Sequence, residues 1–192
     1  MGPSKDVLTS IEICAGAGGQ AIGLHQAGFK HLALVEIDPH AVETLQTNIA
    51  TLEEWSWERE YCDVISDDVN NFIPIPRDEG RESDVKKAQG YLGRPLARGE
   101  LGLLAGGVPC PPFSHAGKQL GKDDERDLFP RILELTEELR PKAVMIENVR
   151  GIKDAKFEEY RTYIEARLAG GLARHPVTGI DQNFDGLNYR IC

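Results

Sequence analysis

The sequence predicts an α/β protein with a doubly wound, mostly parallel sheet of the Rossmann-like kind. Three observations carry this prediction. Short apolar runs alternate along the chain with segments of helical periodicity. A glycine cluster at residues 16–19 separates the first apolar run from the first helical segment. The length of 192 residues and a hydrophobic content of 41% suit one ordinary domain.

The elements follow from apolar spacing and from turn-forming residues. Apolar residues recur along residues 127–139 at Leu128, Ile132, Leu135 and Leu139, which is typical of a helix with one buried face. Pro39 suits the first position of a helix. The predicted strands are residues 7–13, 32–37, 101–105, 143–146 and 187–192, and the predicted helices are residues 22–28, 40–48, 127–139 and 157–168.

Two stretches have no strong pattern. Residues 55–61 are aromatic but weakly periodic, and no element is assigned to them. Residues 74–100 are polar and rich in Gly, Pro, Arg and Asp, which indicates a long surface excursion with one short helix near residues 85–91.

Charge and composition limit the function. A net charge of -9 and a pI near 5.1 argue against a chain that binds a nucleic-acid backbone by itself. No apolar run approaches the roughly 18 residues of a membrane span, and the start has no signal-peptide core, so we expect a cytoplasmic protein. The cysteines form no C-x-x-C pair, which indicates reduced thiols without a zinc site.

One cysteine lies in a rigid loop directly after a predicted strand. Cys110 stands in the run Gly-Val-Pro-Cys-Pro-Pro-Phe-Ser, residues 107–114. The flanking prolines fix φ and remove backbone donors, so the loop presents its sulfur in a defined direction. The carboxyl end of a strand is where open α/β sheets bind ligands. The pattern predicts a nucleophile, although a small buried cysteine beside a tight turn would fit the loop equally well.

Two acidic residues end predicted strands. Glu36 lies 17 residues beyond Gly19, where an acidic group reaches ribose hydroxyls in dinucleotide-binding folds, although a glycine cluster can also serve only to close a turn. Glu147 directly follows the apolar residues 143–146, where partial desolvation would raise its pKa and let it donate a proton. An ordinary strand-end carboxylate paired with a base is the alternative. Cys110 and Glu147 together suit attack on an electron-poor ring.

At these motifs the chain resembles the amino-terminal, catalytic part of the DNA (cytosine-5) methyltransferase family. The matching segments occur in the family's order and cover most of residues 7–192. They are Ile-Cys-Ala-Gly-Ala-Gly-Gly at 13–19, Val-Glu-Ile-Asp-Pro at 35–39, Asp63, Gly-Gly-Val-Pro-Cys-Pro-Pro-Phe-Ser at 106–114, Gly-Lys-Gln at 117–119, Arg-Asp-Leu-Phe at 126–129 and Glu-Asn-Val at 147–149.

The resemblance implies an S-adenosylmethionine-dependent methyltransferase fold and a site. It implies that Cys110 attacks C6 of a cytosine flipped from double-stranded DNA, and that Glu147 holds and protonates the pyrimidine. Methyl transfer to C5 would leave S-adenosylhomocysteine. The implied cofactor-binding residues are Gly16, Ala17 and Gly19 near the methionine part, Glu36 on the ribose with Ile37 beside it, Asp63 and Val64 by the adenine, and Gly107 and Leu128 lining the pocket.

The chain also departs from the family pattern. Cys14 stands where phenylalanine is usual, and we interpret it as a packing residue rather than a second nucleophile. Pro111 replaces the common glutamine, and the excursion at residues 74–100 is longer than usual. Residues 1–192 are predicted to be one catalytic and cofactor-binding domain without a target-recognition domain, because no segment matches the Gln-Arg-x-Arg motif, the recognition region or the final motif.

We therefore expect a truncated or split methyltransferase of the restriction-modification type, which needs a carboxyl-terminal half or a partner subunit to bind DNA. Two alternatives remain open at this point. The first is an RNA cytosine-5 methyltransferase, since the substrate is chosen mainly by the parts without a match. The second is a non-catalytic subunit that keeps the fold.

Overall fold

A computed structural model of the chain describes residues 7–74, 96–108, 127–176 and 178–192. Cys110, Pro111 and the helix predicted near residues 85–91 lie outside the described residues. The chain divides into two compact units. The first contains Met1–Gly107 and Glu138–Ile146, and the second contains Val108–Glu137 and Glu147–Cys192.

The described part of the first unit contains a sheet of five parallel strands, which confirms the predicted doubly wound α/β fold. The spatial order is β3-β2-β1-β4-β5. Because the order reverses between β1 and β4, the carboxyl ends of these two strands form the switch point where open α/β sheets bind ligands. The strands are β1 (Thr9–Ile13), β2 (Lys30–Glu36), β3 (Asp63–Ser66), β4 (Leu103–Gly106) and β5 (Ala143–Ile146).

Three helices connect the first strands, namely α1 (Gly19–Gln26), α2 (Pro39–Thr51) and α3 (Ser56–Tyr61). Asp38 caps α2, because its carboxylate accepts hydrogen bonds from the backbone N–H groups of His40 and Ala41. Pro39 occupies the first turn, as predicted. The apolar core beneath these helices contains Ala15, Ala21, Leu34, Leu45, Ile49 and Trp55.

A buried histidine joins α1 to β2. His31 is fully buried, and desolvation lowers its pKa, so its imidazole is neutral. Nε2–H donates to the carbonyl of Ala21 at 2.9 Å, and Nδ1 accepts from the Ser10 hydroxyl at 2.9 Å. Both polar atoms of the ring are therefore satisfied, and α1 is held at a fixed position on the sheet.

The second unit is described here by itself. It contains most of α4 (Phe129–Leu139), α5 (Glu158–Ala169) and a hairpin of β6 (Gly171–Arg174) and β7 (Asp181–Phe184). The guanidinium of Arg167 in α5 donates from Nε to the carboxylate of Glu137 in α4 at 3.0 Å. Tyr163 packs against Phe184 with ring centroids 5.6 Å apart, which joins α5 to the hairpin.

Two stretches without an assigned element form regular structure, and one predicted strand is wrong. Residues 55–61 form α3 and the end of a short 3₁₀-helix at Glu53–Trp55. Residues 171–184 contain the β6–β7 hairpin. Residues 187–192, expected to be a strand, are not one, because Gly186 (φ 68°) and Asn188 (φ 63°) adopt left-handed conformations that interrupt extended backbone. The backbone N–H groups of Leu187 and Tyr189 instead donate to the carbonyl of Leu168.

Within the described ranges, the helices are all too short or too polar to cross a membrane.

Candidate active site

The turn between β1 and α1 uses three residues with positive φ. Cys14 has φ 53°, Gly16 has φ 55° and Gly18 has φ 93°. Two constraints favour glycine at position 18. Its φ is positive, and a Cβ there would lie 2.6 Å from Cδ2 of Leu45. The sequence of this turn is therefore set by backbone conformation and by the close approach of α2.

One carboxylate holds this turn against the end of β2. Oε2 of Glu36 accepts from the backbone N–H of Gly16 at 2.7 Å. Oε1 accepts from the N–H groups of Ile37 at 2.9 Å and Asp38 at 2.8 Å. A carboxylate has about four acceptor positions, so Glu36 keeps capacity for one more donor, such as a ligand hydroxyl.

The space above the turn is open. A Cβ built on Gly16 or Gly19 would meet nothing within 4 Å. Gly18 caps α1 without a side-chain hydrogen bond, so the first N–H groups of α1 are available to a polar ligand. Ala17 is exposed at the turn. An open, donor-rich turn beside a carboxylate fits the amino-acid and ribose parts of S-adenosylmethionine.

The residues predicted to contact adenine, Asp63 and Val64, lie at the beginning of β3 and not at its carboxyl end. Asp63 pairs with Ala33 and Val64 with Leu34, whereas Glu36 pairs with Ser66. Asp63 is thus three residues back from Glu36, about 10 Å along the strand. Val64 packs against the apolar core. The cofactor contacts of Asp63 and Val64 remain predictions.

Two acidic residues at the edge were not predicted. Asp67 and Asp68 follow β3 directly, and the N–H of Asp67 donates to the carbonyl of Glu36 at 3.1 Å. Ile37, on the other side of Glu36, is 65% exposed. The doubled aspartate after the apolar pair at residues 64–65 was the signal in the sequence that could have identified this edge.

Neither Cys14 nor Cys62 has the properties of a nucleophile. Burial, with a smaller contribution from Glu36, raises the pKa of Cys14 to about 12. Burial also raises the pKa of Cys62 well above its ordinary value. Both sulfurs are protonated at neutral pH, and a thiol attacks far more slowly than a thiolate. The interpretation of Cys14 as a packing residue agrees with this result.

Gly107 opens the loop that carries Cys110. It directly follows β4, and Gly106 pairs with Ile13 at the end of β1, so the loop starts beside the glycine turn. Gly107 is half-buried. Cys110 itself lies outside the described residues.

In the second unit, Asn148 ties the Glu147 segment to the beginning of this loop. Its side-chain amide donates to the carbonyl of Val108 at 3.2 Å, two residues before Cys110. Its Oδ1 accepts from the N–H of Val149 at 2.8 Å. Glu147 is exposed, which corrects the expected partial desolvation, because the residue lies just past the end of β5.

Leu128 precedes α4 and is half-buried. Its carbonyl accepts from the N–H of Ile132 at 3.1 Å. The adjacent Asp127 accepts from the N–H of Phe129 and from the hydroxyl of Tyr160. The start of α4 is therefore fixed against α5 within the second unit.

The model of the family described as C-5 cytosine-specific DNA methylase matches residues 8–169. The chain is 51% identical to Type II methyltransferase M.NgoMIV of Neisseria gonorrhoeae over 162 residues, which is 84% of this chain and 42% of that protein. It is 44% identical to Type II methyltransferase M.NaeI of Lentzea aerocolonigenes over 161 residues, which is 84% of this chain and 32% of that protein. The chain thus spans less than half the length of these curated relatives.

Solved structures support the fold. A protein described as a DNA modification methyltransferase of prophage origin from E. coli has a TM-score of 0.59 and 24% identity, over 86% of this chain and 39% of that one. A mutant of Spodoptera frugiperda DNMT2 has a TM-score of 0.50 and 17% identity, over 82% of this chain and 40% of that one.

One buried acid near the turn has no hydrogen bond. Glu12 is 1% exposed, and within the described part of the chain both of its carboxylate oxygens lack a hydrogen-bond partner. It lies in β1, paired with Leu34 on one side and Ala105 on the other. Burial raises its pKa from 4.5 to about 8, so the folded protein favours the neutral acid.

The first prediction concerns the pH dependence of stability. Because the folded pKa of Glu12 exceeds the unfolded one, its contribution is fully present below pH 4.5 and is lost as pH rises toward 8. The slope is at most about 1.4 kcal/mol per pH unit. Urea unfolding from pH 5 to pH 8 should show that Glu12→Gln becomes progressively more stable than wild type. The exposed control Glu165→Gln should follow wild type, and parallel curves for Glu12→Gln would contradict the prediction.

The second prediction concerns Glu36. Glu36→Ala removes the acceptor shared by three backbone N–H groups. The free energy of unfolding should fall by about 2 kcal/mol, as expected for hydrogen bonds to a charged group. Hydrogen exchange at the Gly16 amide should accelerate. Glu43→Ala, an exposed glutamate of α2, is the control, and unchanged exchange at Gly16 in Glu36→Ala would disprove the role of the carboxylate.

Proposed function

We propose that this chain, which belongs to the C-5 cytosine-specific DNA methylase family, is the catalytic part of an enzyme that transfers a methyl group from S-adenosylmethionine to C5 of cytosine in double-stranded DNA. The observation that carries the proposal is the bond from Asn148 to Val108. It joins the Glu-Asn-Val segment to the Pro-Cys loop, the two motifs to which the chemistry is assigned. The first relatives are type II methyltransferases, which supports a role in restriction-modification.

The cofactor would bind at the glycine turn. When bound, S-adenosylmethionine supplies an electrophilic methyl group. The available N–H groups of α1 would bind its amino-acid part, and Glu36 would accept a hydrogen bond from a ribose hydroxyl. Gly16, Ala17 and Gly19 leave room for it, and Ile37, Asp63, Val64, Gly107 and Leu128 are the remaining assigned contacts. S-adenosylhomocysteine would leave as the product.

Cys110 would act as the nucleophile. C5 of cytosine is too unreactive to accept a methyl group until addition at C6 breaks the aromaticity of the ring. The Cys110 thiolate would form a bond to C6, and the enamine so formed would attack the methyl group through C5. A base would then remove the C5 proton, and the sulfur–C6 bond would break to restore the thiolate. The cytosine must leave the duplex for this to occur.

Glu147 would bind the Watson–Crick edge of the extruded base. A protonated carboxyl there would donate a proton to the ring, which makes C6 more electrophilic, and would take that proton back when the sulfur leaves. Glu147 is exposed in this structure, so the extruded base and the DNA would be what covers it during the reaction.

We propose that residues 1–192 form the catalytic and cofactor-binding part and act with a complementary target-recognition segment or subunit. The net charge of -9 leaves little capacity to neutralise phosphates over a whole binding site. Within the described residues β5 is an edge strand, so one side of its backbone is not paired with another strand of this sheet. This edge could receive further strands.

The third prediction tests the nucleophile. The protein, supplied with a complementary recognition segment, should form a covalent adduct with duplex DNA that contains 5-fluorocytosine, because fluorine at C5 blocks the elimination step. Cys110→Ala should abolish both the adduct and radiolabelled methyl transfer. Cys192→Ser removes an exposed thiol and should retain both activities.

The outcomes separate the alternatives. Normal methyl transfer by Cys110→Ala would contradict the covalent mechanism. Transfer to tRNA but not to duplex DNA would identify an RNA methyltransferase. Absence of any adduct with intact Cys110 and a recognition segment present would identify a non-catalytic subunit.

A further inference from the structure

A short basic helix follows the Glu147 segment. Arg150–Lys153 form a 3₁₀-helix, and both terminal side chains are exposed. In a 3₁₀-helix the side chains at positions i and i+3 lie above one another on the same side. Arg150 and Lys153 therefore project in the same direction.

The backbone that carries this pair is fixed. Nη1 of Arg161, in α5, donates to the carbonyl of Ile152 at 2.5 Å and to that of Asp154 at 2.9 Å. The N–H of Ile152 donates to the carbonyl of Val149 at 3.1 Å. Because Arg161 satisfies the carbonyls at the end of the helix, the two cations are presented by a rigid element and need little ordering to bind a ligand.

Neither cation is neutralised by a neighbour. Arg131 and Arg167, in the same unit, pair with Glu134 and Glu137. Within the described ranges no ion pair joins Arg150 or Lys153 to an acid, although Glu147 and Asp154 flank the helix in sequence. Two unpaired cations on one side of a helix fit a ligand with several negative charges, such as a phosphodiester backbone.

The pair lies close along the chain to Glu147, the residue proposed to bind the extruded base. Arg150 is three residues beyond Glu147, a distance of at most about 11 Å along the chain. Asn148 holds the intervening segment to Val108. Phosphates bound by Arg150 and Lys153 would therefore be those near the base that Glu147 holds.

From this geometry we infer that Arg150 and Lys153 form a phosphate-binding pair that grips the DNA backbone beside the extruded cytosine. The inference rests on the proposed function and adds to it a DNA contact made by this acidic chain itself. Each neutralised phosphate releases condensed counterions, so the contribution of the pair must decrease as salt concentration rises.

NMR titration of the ¹⁵N-labelled chain with a 20-base-pair duplex tests the pair, because chemical shifts report weak binding. The test variant is Arg150→Gln/Lys153→Gln. The control is Lys142→Gln/Arg190→Gln, which removes the same charge at two exposed cations outside the pair. At 50 mM salt, amides of residues 150–153 should shift in wild type and in the control, and not in the test variant.

The salt dependence of DNA binding measures how much the pair contributes to affinity. If the pair neutralises two phosphates, its contribution to affinity should fall about 12-fold between 50 and 200 mM salt, from a slope of roughly 0.9 per phosphate. The dissociation constant of wild type should rise by that factor more than that of the test variant. Equal salt dependence in the two proteins overturns the inference, as does the absence of shifts at residues 150–153.

A parallel titration with S-adenosylmethionine separates this inference from the proposed function. Shifts at Gly16 and Gly19 with S-adenosylmethionine, without shifts at residues 150–153 with DNA, would reject the phosphate pair and leave the proposed function standing. DNA-induced shifts at residues 150–153 without any response to S-adenosylmethionine would support the pair and reject the cofactor assignment.

Discussion

The candidate site depends on one carboxylate. Glu36 gathers the N–H groups of Gly16, Ile37 and Asp38, and so connects the ends of β1 and β2 at the edge of the sheet. The N–H of Gly18 pairs within the turn with the carbonyl of Ala15 at 3.0 Å, whereas the N–H of Gly16 depends on Glu36. Because an N–H left unpaired costs stability when it is covered, Glu36 stabilises this conformation of the turn.

The surroundings of this turn also keep its thiol protonated. Burial is the main reason that a negative charge on Cys14 is disfavoured, and Glu36 and Asp68 add to it. The thiolate of the proposed mechanism would therefore form elsewhere, and the Pro-Cys loop is the segment whose sequence suits it. The same acids suit a ligand with positive charge, and the sulfonium of S-adenosylmethionine carries one. A single set of carboxylates would thus favour the cofactor and help to keep Cys14 inert.

The sequence allowed prediction of those features that local chemistry determines. The alternation of strands and helices follows from the apolar runs, and the start of α2 follows from Pro39, whereas β3 and the strand order were not predicted. Tertiary contacts determined the rest: α3 lacks apolar periodicity and is stabilised by burial of Trp55 and by Glu58, which pairs with His25. The β6–β7 hairpin has no apolar run and depends on packing against Tyr163. For the site, the position of Glu36 was predictable, but its bond to Gly16 and the exposure of Glu147 depend on how the elements meet.

The acidity of the chain does not prevent local contact with DNA. At physiological ionic strength, charges more than about 8 Å apart are largely screened, so a phosphate senses the groups beside it rather than the total charge of the protein. Arg150 and Lys153 lie between Glu147 and Asp154 in sequence, but within the described residues neither cation forms an ion pair with an acid. The carboxylates at Glu36, Asp67 and Asp68 lie instead at the ends of β2 and β3. If the proposed function holds, this separation along the chain would let one catalytic part bind a cationic cofactor at an anionic turn and an anionic polymer at a cationic pair.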